Sequence, residues 1–276
     1  MLKRLLIEAK HRLPHPGVLV EASKCRALVK NYRLGDGYKR IYHYHIRKTG
    51  GTSLNQMFLA LSGQPGQSLY NRLHEVRPGL FGRRTCAPDY RLVVDNKVYV
   101  GWNKRLIEQG FYFYAFSHLP AHKLRLPERT FTVTCLREPV SRVLSLYNML
   151  LFYRDNDVSH PGMVEQGPWL GRGFCDFLSR VPREHLLCQL YMFSNSYSAD
   201  EAFDGILSCS HFFFTEDFSQ GVKSLSEKLG FTLQPIHIRK ADRQEAISAQ
   251  DMERLRTLLE PEFLLYEKLR AYSRIS

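Results

Sequence analysis

The feature that most constrains this sequence is an apolar segment that turns through two adjacent glycines into a second apolar segment. Residues 41–46, IYHYHI, are rich in β-branched and aromatic side chains, which favour a strand. Beyond the turn, apolar residues recur at helical spacing, at Leu54, Met57, Phe58 and Leu61. A strand, a Gly-rich turn and a helix in this order can form an anion-binding cradle. Glycine lets the backbone approach the anion, and the first N–H groups of the helix point at it.

The turn itself carries side chains that suit an anion. Its residues are Arg47, Lys48, Thr49, Gly50, Gly51, Thr52 and Ser53. Lys48 supplies a positive charge, and the hydroxyls of Thr52 and Ser53 are hydrogen-bond donors. The order differs from the nucleoside triphosphate loop G-x-x-x-x-G-K-[ST], because here the lysine precedes the glycines. A simple Gly-Gly turn between two core elements, with solvated basic residues, stays open as the alternative.

A second group of candidate ligands follows an apolar, β-branched run at residues 130–136, TFTVTCL, which predicts a buried strand. Residues 137–139, REP, end that strand, and the proline suits the first turn of a helix over about 139–153. Ser145 lies about two helical turns beyond Arg137, so the two side chains can share one face. Because an arginine fork makes two charge-assisted bonds to a phosphate, this pair fits a phosphate site.

Together the two runs resemble the donor-binding motifs of sulfotransferases that use 3′-phosphoadenosine 5′-phosphosulfate (PAPS). Residues 45–54, HIRKTGGTSL, are similar to the 5′-phosphosulfate loop of the carbohydrate branch, of heparan and chondroitin type. The family position before the lysine is often proline and here is Arg47. Residues 137–147 are similar to the 3′-phosphate motif R-[DE]-P-x-x-R-x-x-S-x-Y. The resemblance implies that the 47–53 turn holds the phosphosulfate and that Arg137 and Ser145 hold the 3′-phosphate.

The resemblance also implies a general base and a further basic segment. In the carbohydrate branch, a histidine just beyond a strand between the two motifs is a candidate base, and His118 fits that placement, with His122 as its rival. Arg239 and Lys240 could contact the 3′-phosphate from a C-terminal loop, as a basic segment does in relatives. For either of them a solvated basic loop is the alternative. No metal is required by this scheme.

His43 and His45 alternate on one face of the first predicted strand. They could pair as metal ligands, but the sequence offers no third candidate. Packing or hydrogen bonding is therefore the favoured role for both rings.

Strands alternating with helices predict an α/β fold, a single domain with a mostly parallel central sheet flanked by helices. The resemblance implies a P-loop-like sulfotransferase fold. Because ligands bind at the carboxyl ends of parallel strands, the loops bearing Lys48, His118 and Arg137 should share one edge of the sheet. Residues 1–38 are predicted to be an N-terminal extension and residues 39–276 the sulfotransferase domain.

Several connections and helices are predicted less directly, from composition and spacing. Residues 62–89 and 154–172 are expected to be long irregular connections, because glycine and proline recur in both. The C-terminal region is expected to form two helices, at about 248–259 and 261–272.

Composition limits the binding partners and the cellular compartment that can be expected. A net charge of +12 favours anionic partners, although no nucleic acid is expected, and the oligomeric state is open. No apolar run reaches the length of a transmembrane segment, and charged residues interrupt the N-terminal region where a signal peptide would lie. A cytoplasmic enzyme is therefore expected, or a Golgi-lumenal domain if the sequence is a trimmed one. The six scattered cysteines form no zinc-binding pair, and disulfides stay open.

The activity implied by the resemblance is transfer of a sulfuryl group from PAPS to a hydroxyl, with an amine as second choice. The acceptor would be a small metabolite or a glycan. A P-loop-type nucleotide kinase is one alternative, disfavoured by the position of Lys48 and by the basic residue that ends the 130–136 strand. A non-enzymatic module that binds polyanions through its +12 surface is another, but it leaves the paired motifs unexplained.

Overall fold

A six-stranded sheet lies at the centre of the described chain. The computed structural model describes residues 16–74, 91–158, 160, 162–236 and 246–274. Within these ranges the strands are β1 Arg40–Tyr44, β2 Arg91–Val94, β3 Lys97–Gly101, β4 Tyr114–Ser117, β5 Thr130–Leu136 and β6 His211–Phe214. Their order is β2-β3-β4-β1-β5-β6, and only the β2–β3 pairing is antiparallel. The predicted α/β fold with a mostly parallel sheet in a single domain is confirmed.

The register of the central strands brings three loops to one edge. Tyr44, the last residue of β1, pairs with Ser117 at the end of β4 and with Thr134 near the end of β5. Because these strands are parallel, the loops that follow them leave the sheet on the same side. Lys48, His118 and Arg137 therefore share the carboxyl edge, as the sequence predicted.

Helices cover both faces of the sheet. They are α1 Pro16–Asn31, α2 Gly51–Ala60, α3 Gly66–His74, α4 Lys104–Gln109, α5 Pro139–Asp155, α6 Gly162–Gln166, α7 Phe174–Arg180, α8 Arg183–Leu186, α9 Cys188–Phe193, α10 Ala199–Leu207, α11 Phe218–Leu229 and α12 Ala249–Ser273. Buried residues of α2, α3 and α11 pack with Ile41, and those of α5, α7, α9, α10 and α12 pack with Tyr42. Successive strand residues point to opposite faces, so these are the two layers of core.

Three of the less direct predictions were wrong in part. Residues 66–74 form α3 within the connection expected to be irregular, while residues 75–89 lie outside the described part of the chain. The 154–172 connection contains α6 and a 3₁₀ turn, Gly167–Leu170. The C-terminal region is one helix, α12, with Pro261 inside it.

The N-terminal helix belongs to the same core as the sheet. Cys25 of α1 is fully buried. The Tyr32 hydroxyl donates to the Asn96 carbonyl at 2.9 Å and accepts from the Val98 amide at 3.0 Å. The domain boundary at residue 38 stays a prediction. Among the helices of the described residues, none combines the length and the apolar character that crossing a membrane requires.

A buried ion pair ties α5 to α12. Arg142 Nη2 lies 2.9 Å from Glu262 Oε2, and both side chains are fully buried. The same guanidinium donates to the carbonyls of His185 and Leu186, and Glu262 Oε1 accepts from the Gln189 amide at 3.0 Å. Removing one partner of such a pair typically costs about 3–5 kcal/mol, because the other charge is left buried alone. Arg142, within the second motif, is thus a structural residue.

Candidate functional site

The turn after β1 is a cradle of backbone amides. Gly50, the residue before α2, has a left-handed conformation with a φ of 77°. In the part of the chain that the structure describes, the amides of residues 50–53 donate no hydrogen bond. The first N–H groups of a helix also carry the positive end of its dipole. The turn can therefore receive an anion without breaking an existing hydrogen bond.

The side chains beneath the turn fix its shape. A Cβ on Gly51 would lie 2.0 Å from Cδ2 of His45, so this position tolerates only glycine. Thr49 is fully buried, and its hydroxyl donates to the Ile46 carbonyl at 3.0 Å. The Thr52 side chain hydrogen-bonds with Tyr70. Thr49 therefore shapes the turn, while the backbone amides are its free donors.

The backbone of Lys48 is strained, and its ammonium is poorly solvated. Its φ is 68°, a left-handed conformation that is uncommon for a residue other than glycine. Its ammonium donates to Met149 Sδ at 3.4 Å, and a thioether is a weak acceptor. Burial first, and then the charge of Arg137, lower the pKa of Lys48 to about 8. No carboxylate of the described residues pairs with this ammonium, so its environment favours an incoming anion.

Arg137 contacts the turn directly. Its Nη1 donates to the Lys48 carbonyl at 3.3 Å. Its backbone is held by Gln189, which accepts from the Arg137 amide at 2.8 Å and donates to the Arg137 carbonyl at 3.0 Å. Ser145 is half-buried and lies one helical turn before Met149 on α5, so it shares the face that meets Lys48. The structure thus brings the two motifs together, with Met149 and Gln189 as contacts that the motifs did not indicate.

His118 follows β4, and one nitrogen of its ring makes a hydrogen bond within the protein. Its Nδ1 lies 2.6 Å from the carbonyl oxygen of His45. A carbonyl can only accept, so Nδ1 carries the proton and Nε2 of the neutral ring is left as the acceptor. Burial first, and then the charge of Arg47, lower the pKa of His118 to about 3. The rival, His122, is exposed and lies edge-on to Tyr191, with ring centroids 5.2 Å apart.

A buried hydrogen-bond network supports this region from below. Asn55 Oδ1 accepts from His43 Nδ1 and from the Tyr114 hydroxyl, each at 2.8 Å. Asn55 Nδ2 donates to His45 Nδ1 at 3.3 Å, and the two imidazoles stack. Hydrogen bonding and packing of the two histidines, the role favoured by the sequence, are confirmed. The position of Asn55 on α2, one turn after Gly51, was the missed signal.

The fully buried His43 should make the protein sensitive to acid. Burial lowers its folded-state pKa to about 4, whereas an unfolded histidine titrates near 6.5. Between these values the unfolded chain binds more protons, so stability rises with pH and is lost on acidification. From pH 7 to pH 5, His43 should account for a loss of about 2 kcal/mol in unfolding free energy.

Urea unfolding at pH 7 and pH 5 measures this loss. His43→Gln, which keeps an amide donor but does not titrate, should reduce the pH dependence by about one proton. Burial and then the charge of Lys123 lower the pKa of His122 as well, but less than that of His43, so His122→Gln should reduce the dependence less. An unchanged pH dependence in His43→Gln would contradict the expectation.

The remaining predicted ligands divide into two groups. Arg47 is half-buried, and after burial its positive charge is the next cause of the lowered pKa values of His118, His160 and His185. Arg239 and Lys240 lie outside the described residues.

No protein-family model matches this chain, and no curated protein is similar enough to match it.

Proposed function

We propose that this protein is a PAPS-dependent sulfotransferase that acts on a hydroxyl group. The observation that carries the proposal is the meeting of the two motifs, in which Arg137 donates to the carbonyl of Lys48. Next to this contact lie the amides of residues 50–53, which donate no hydrogen bond within the described residues. The Lys48 ammonium lies there too, and no carboxylate of the described residues pairs with it. A ligand with two separate anionic groups, a 5′-phosphosulfate and a 3′-phosphate, fits two adjacent cationic positions of this kind.

In this proposal, different residues bind the two anionic groups of the donor. Lys48 and the amides of the turn bind the 5′-phosphosulfate, with Thr52 and Ser53 at the start of α2. Arg137 and Ser145 bind the 3′-phosphate, and the Gln189 clamp keeps the backbone of Arg137 in place. PAPS is a co-substrate in this scheme, and the chain's own groups supply the binding energy and the charge stabilisation.

The transfer needs one proton acceptor and one stabiliser of negative charge. The acceptor oxygen forms a bond to sulfur while its proton passes to Nε2 of His118. The bond between sulfur and the bridging oxygen breaks, and its electrons stay on the 5′-phosphate of the departing adenosine bisphosphate. Lys48 stabilises the charge that develops on that oxygen. The proton thus passes to His118, and Lys48 stabilises the negative charge of the leaving group.

The proposal predicts a specific dependence on the 3′-phosphate. In calorimetry, 3′,5′-adenosine bisphosphate should bind about 10-fold or more tightly than adenosine 5′-phosphate, because hydrogen bonds to charged groups are worth about 1.5–3 kcal/mol. Arg137→Met should remove most of this preference. Arg172→Met is the matched control, because the Arg172 side chain is 93% exposed.

Other outcomes of the same titration separate the competing functions. Equal affinity for the two adenosine nucleotides would sink the assignment of Arg137 and Ser145. Preferred binding of ATP with magnesium would instead indicate a nucleotide kinase. Binding of neither nucleotide, together with binding of a polyanion such as heparin, would indicate a simple polyanion-binding module.

A further inference from the structure

Lys48 and Met149 form a contact that the proposed transfer does not use. The Lys48 ammonium donates to Met149 Sδ at 3.4 Å, which holds this ammonium beside α5. Among the methionines that the structure describes, Met149 alone has a sulfur that accepts a hydrogen bond. A thioether is a weak acceptor, so the ammonium can leave it for a phosphosulfate oxygen. The contact therefore positions Lys48 without competing strongly with the donor.

The backbone of Met149 is anchored, while its side chain is only partly covered. Leu146 and Leu150, its neighbours on α5, are each 1% exposed and hold this part of the helix in the core. Met149 itself is half-buried and packs at the margin of the same core. Because part of the side chain stays exposed, a small oxidant such as a peroxide can approach the thioether.

Oxidation by a peroxide changes the hydrogen-bonding character of this sulfur. A lone pair of the sulfur forms the S–O bond, and the O–O bond of hydrogen peroxide breaks. The departing hydroxide takes the proton of the transferred oxygen and becomes water. The sulfur thereby loses two electrons to the peroxide, and the product is methionine sulfoxide. Its oxygen is a strong acceptor, bonded to the atom that Lys48 already contacts.

From this contact we infer that Met149 is an oxidative modification site that controls the availability of Lys48. The inference rests on the proposed function, in which the Lys48 ammonium binds the 5′-phosphosulfate and stabilises the leaving group. In the sulfoxide, the new oxygen accepts from that ammonium and competes with the donor for it. Oxidation of Met149 thus lowers donor binding and sulfuryl transfer without removing any residue of the site.

Two substitutions at Met149 separate the two oxidation states without an oxidant. Met149→Gln supplies a carbonyl oxygen as a strong acceptor, whereas Met149→Leu has a similar volume and no acceptor. In calorimetry, Met149→Gln should bind 3′,5′-adenosine bisphosphate about 3- to 10-fold more weakly than Met149→Leu, because Lys48 must first leave the amide oxygen. The matched pair is Met252→Gln and Met252→Leu, at a half-buried position on α12 whose sulfur accepts no hydrogen bond. These two should bind the bisphosphate equally.

Hydrogen peroxide tests the modification itself. The wild-type protein is treated with peroxide and then with dithiothreitol, which reduces disulfides and sulfenic acids but leaves sulfoxides in place. Peptide mass spectrometry should find one added oxygen on Met149. The affinity for 3′,5′-adenosine bisphosphate should fall about 3- to 10-fold in proportion to that oxidation.

Met149→Leu, measured before and after the same treatment, is the control for damage elsewhere. It keeps every cysteine, including the exposed Cys175, and every other methionine of the wild type. Its bisphosphate affinity should therefore be the same before and after peroxide. Met252→Leu keeps Met149 and should lose affinity as the wild type does.

Four results would overturn the inference. Met149 could stay unoxidised under conditions that oxidise the half-buried Met163, or its oxidation could leave bisphosphate affinity unchanged. Peroxide could weaken binding in Met149→Leu as much as in the wild type, or Met149→Gln could bind as tightly as Met149→Leu. Failure of the untreated wild type to bind the bisphosphate would instead reject the proposed function, and the role of Lys48 with it.

Discussion

His118→Ala is expected to lower the single-turnover rate by about 10²- to 10⁴-fold, the usual range for a positioned general base. The His45 carbonyl fixes the tautomer of His118, so that Nε2 of the neutral ring can take the proton of the acceptor. Alanine removes this acceptor but touches neither the amides of the turn nor Arg137. The affinity for 3′,5′-adenosine bisphosphate should therefore remain close to that of the wild type.

His122→Ala is the matched control, because His122 is exposed and packs against Tyr191. It should retain the wild-type rate. If His122→Ala alone loses turnover, the base is misassigned. If neither variant does, another group takes the proton of the acceptor.

Lys48→Ala is expected to cost about 10²- to 10³-fold in turnover, as removal of one charge-stabilising donor does in acyl transfer. The loss should exceed the loss in affinity for 3′,5′-adenosine bisphosphate, because the amides of residues 50–53 and Arg137 remain to bind it. Single-turnover rates and bisphosphate titrations on the same preparations measure the two losses. Lys104→Ala, at a side chain 52% exposed on α4, is the control.

Lys48→Arg should restore activity only in part. A planar guanidinium is larger than an ammonium and cannot occupy the same position beside Met149 within a tight turn. Near-normal turnover in Lys48→Ala would show that Lys48 does not stabilise the transition state. Equal losses in turnover and in bisphosphate affinity would show that it binds the ground state and the transition state alike.

The sequence was sufficient for the features that depend on local pattern. The run TFTVTCL coincides with β5, Thr130–Leu136, because its β-branched and aromatic side chains favour a strand. The shared edge of Lys48, His118 and Arg137 followed from the rule that parallel strands present their carboxyl ends together. Neither inference needed knowledge of a distant contact.

What the sequence could not predict depends on contacts between distant residues. Pro261 indicated a break between two helices, yet α12 continues through it. The adjacent Glu262 is held by Arg142 and by the Gln189 amide, and these contacts offset the backbone hydrogen bond that proline removes.

The ion pair between Arg142 and Glu262 bears on when the site matures during translation. The two residues are 120 positions apart, so at 5–20 residues per second Arg142 precedes Glu262 by roughly 6 to 24 s. Over that interval a nascent chain already contains both donor motifs, but the guanidinium has no carboxylate with which to enter the core. Gln189, which clamps Arg137, likewise lacks the Glu262 oxygen that its amide contacts in the finished fold. The contacts that hold the backbone of Arg137 in the finished fold are therefore complete only after Glu262 has been synthesised.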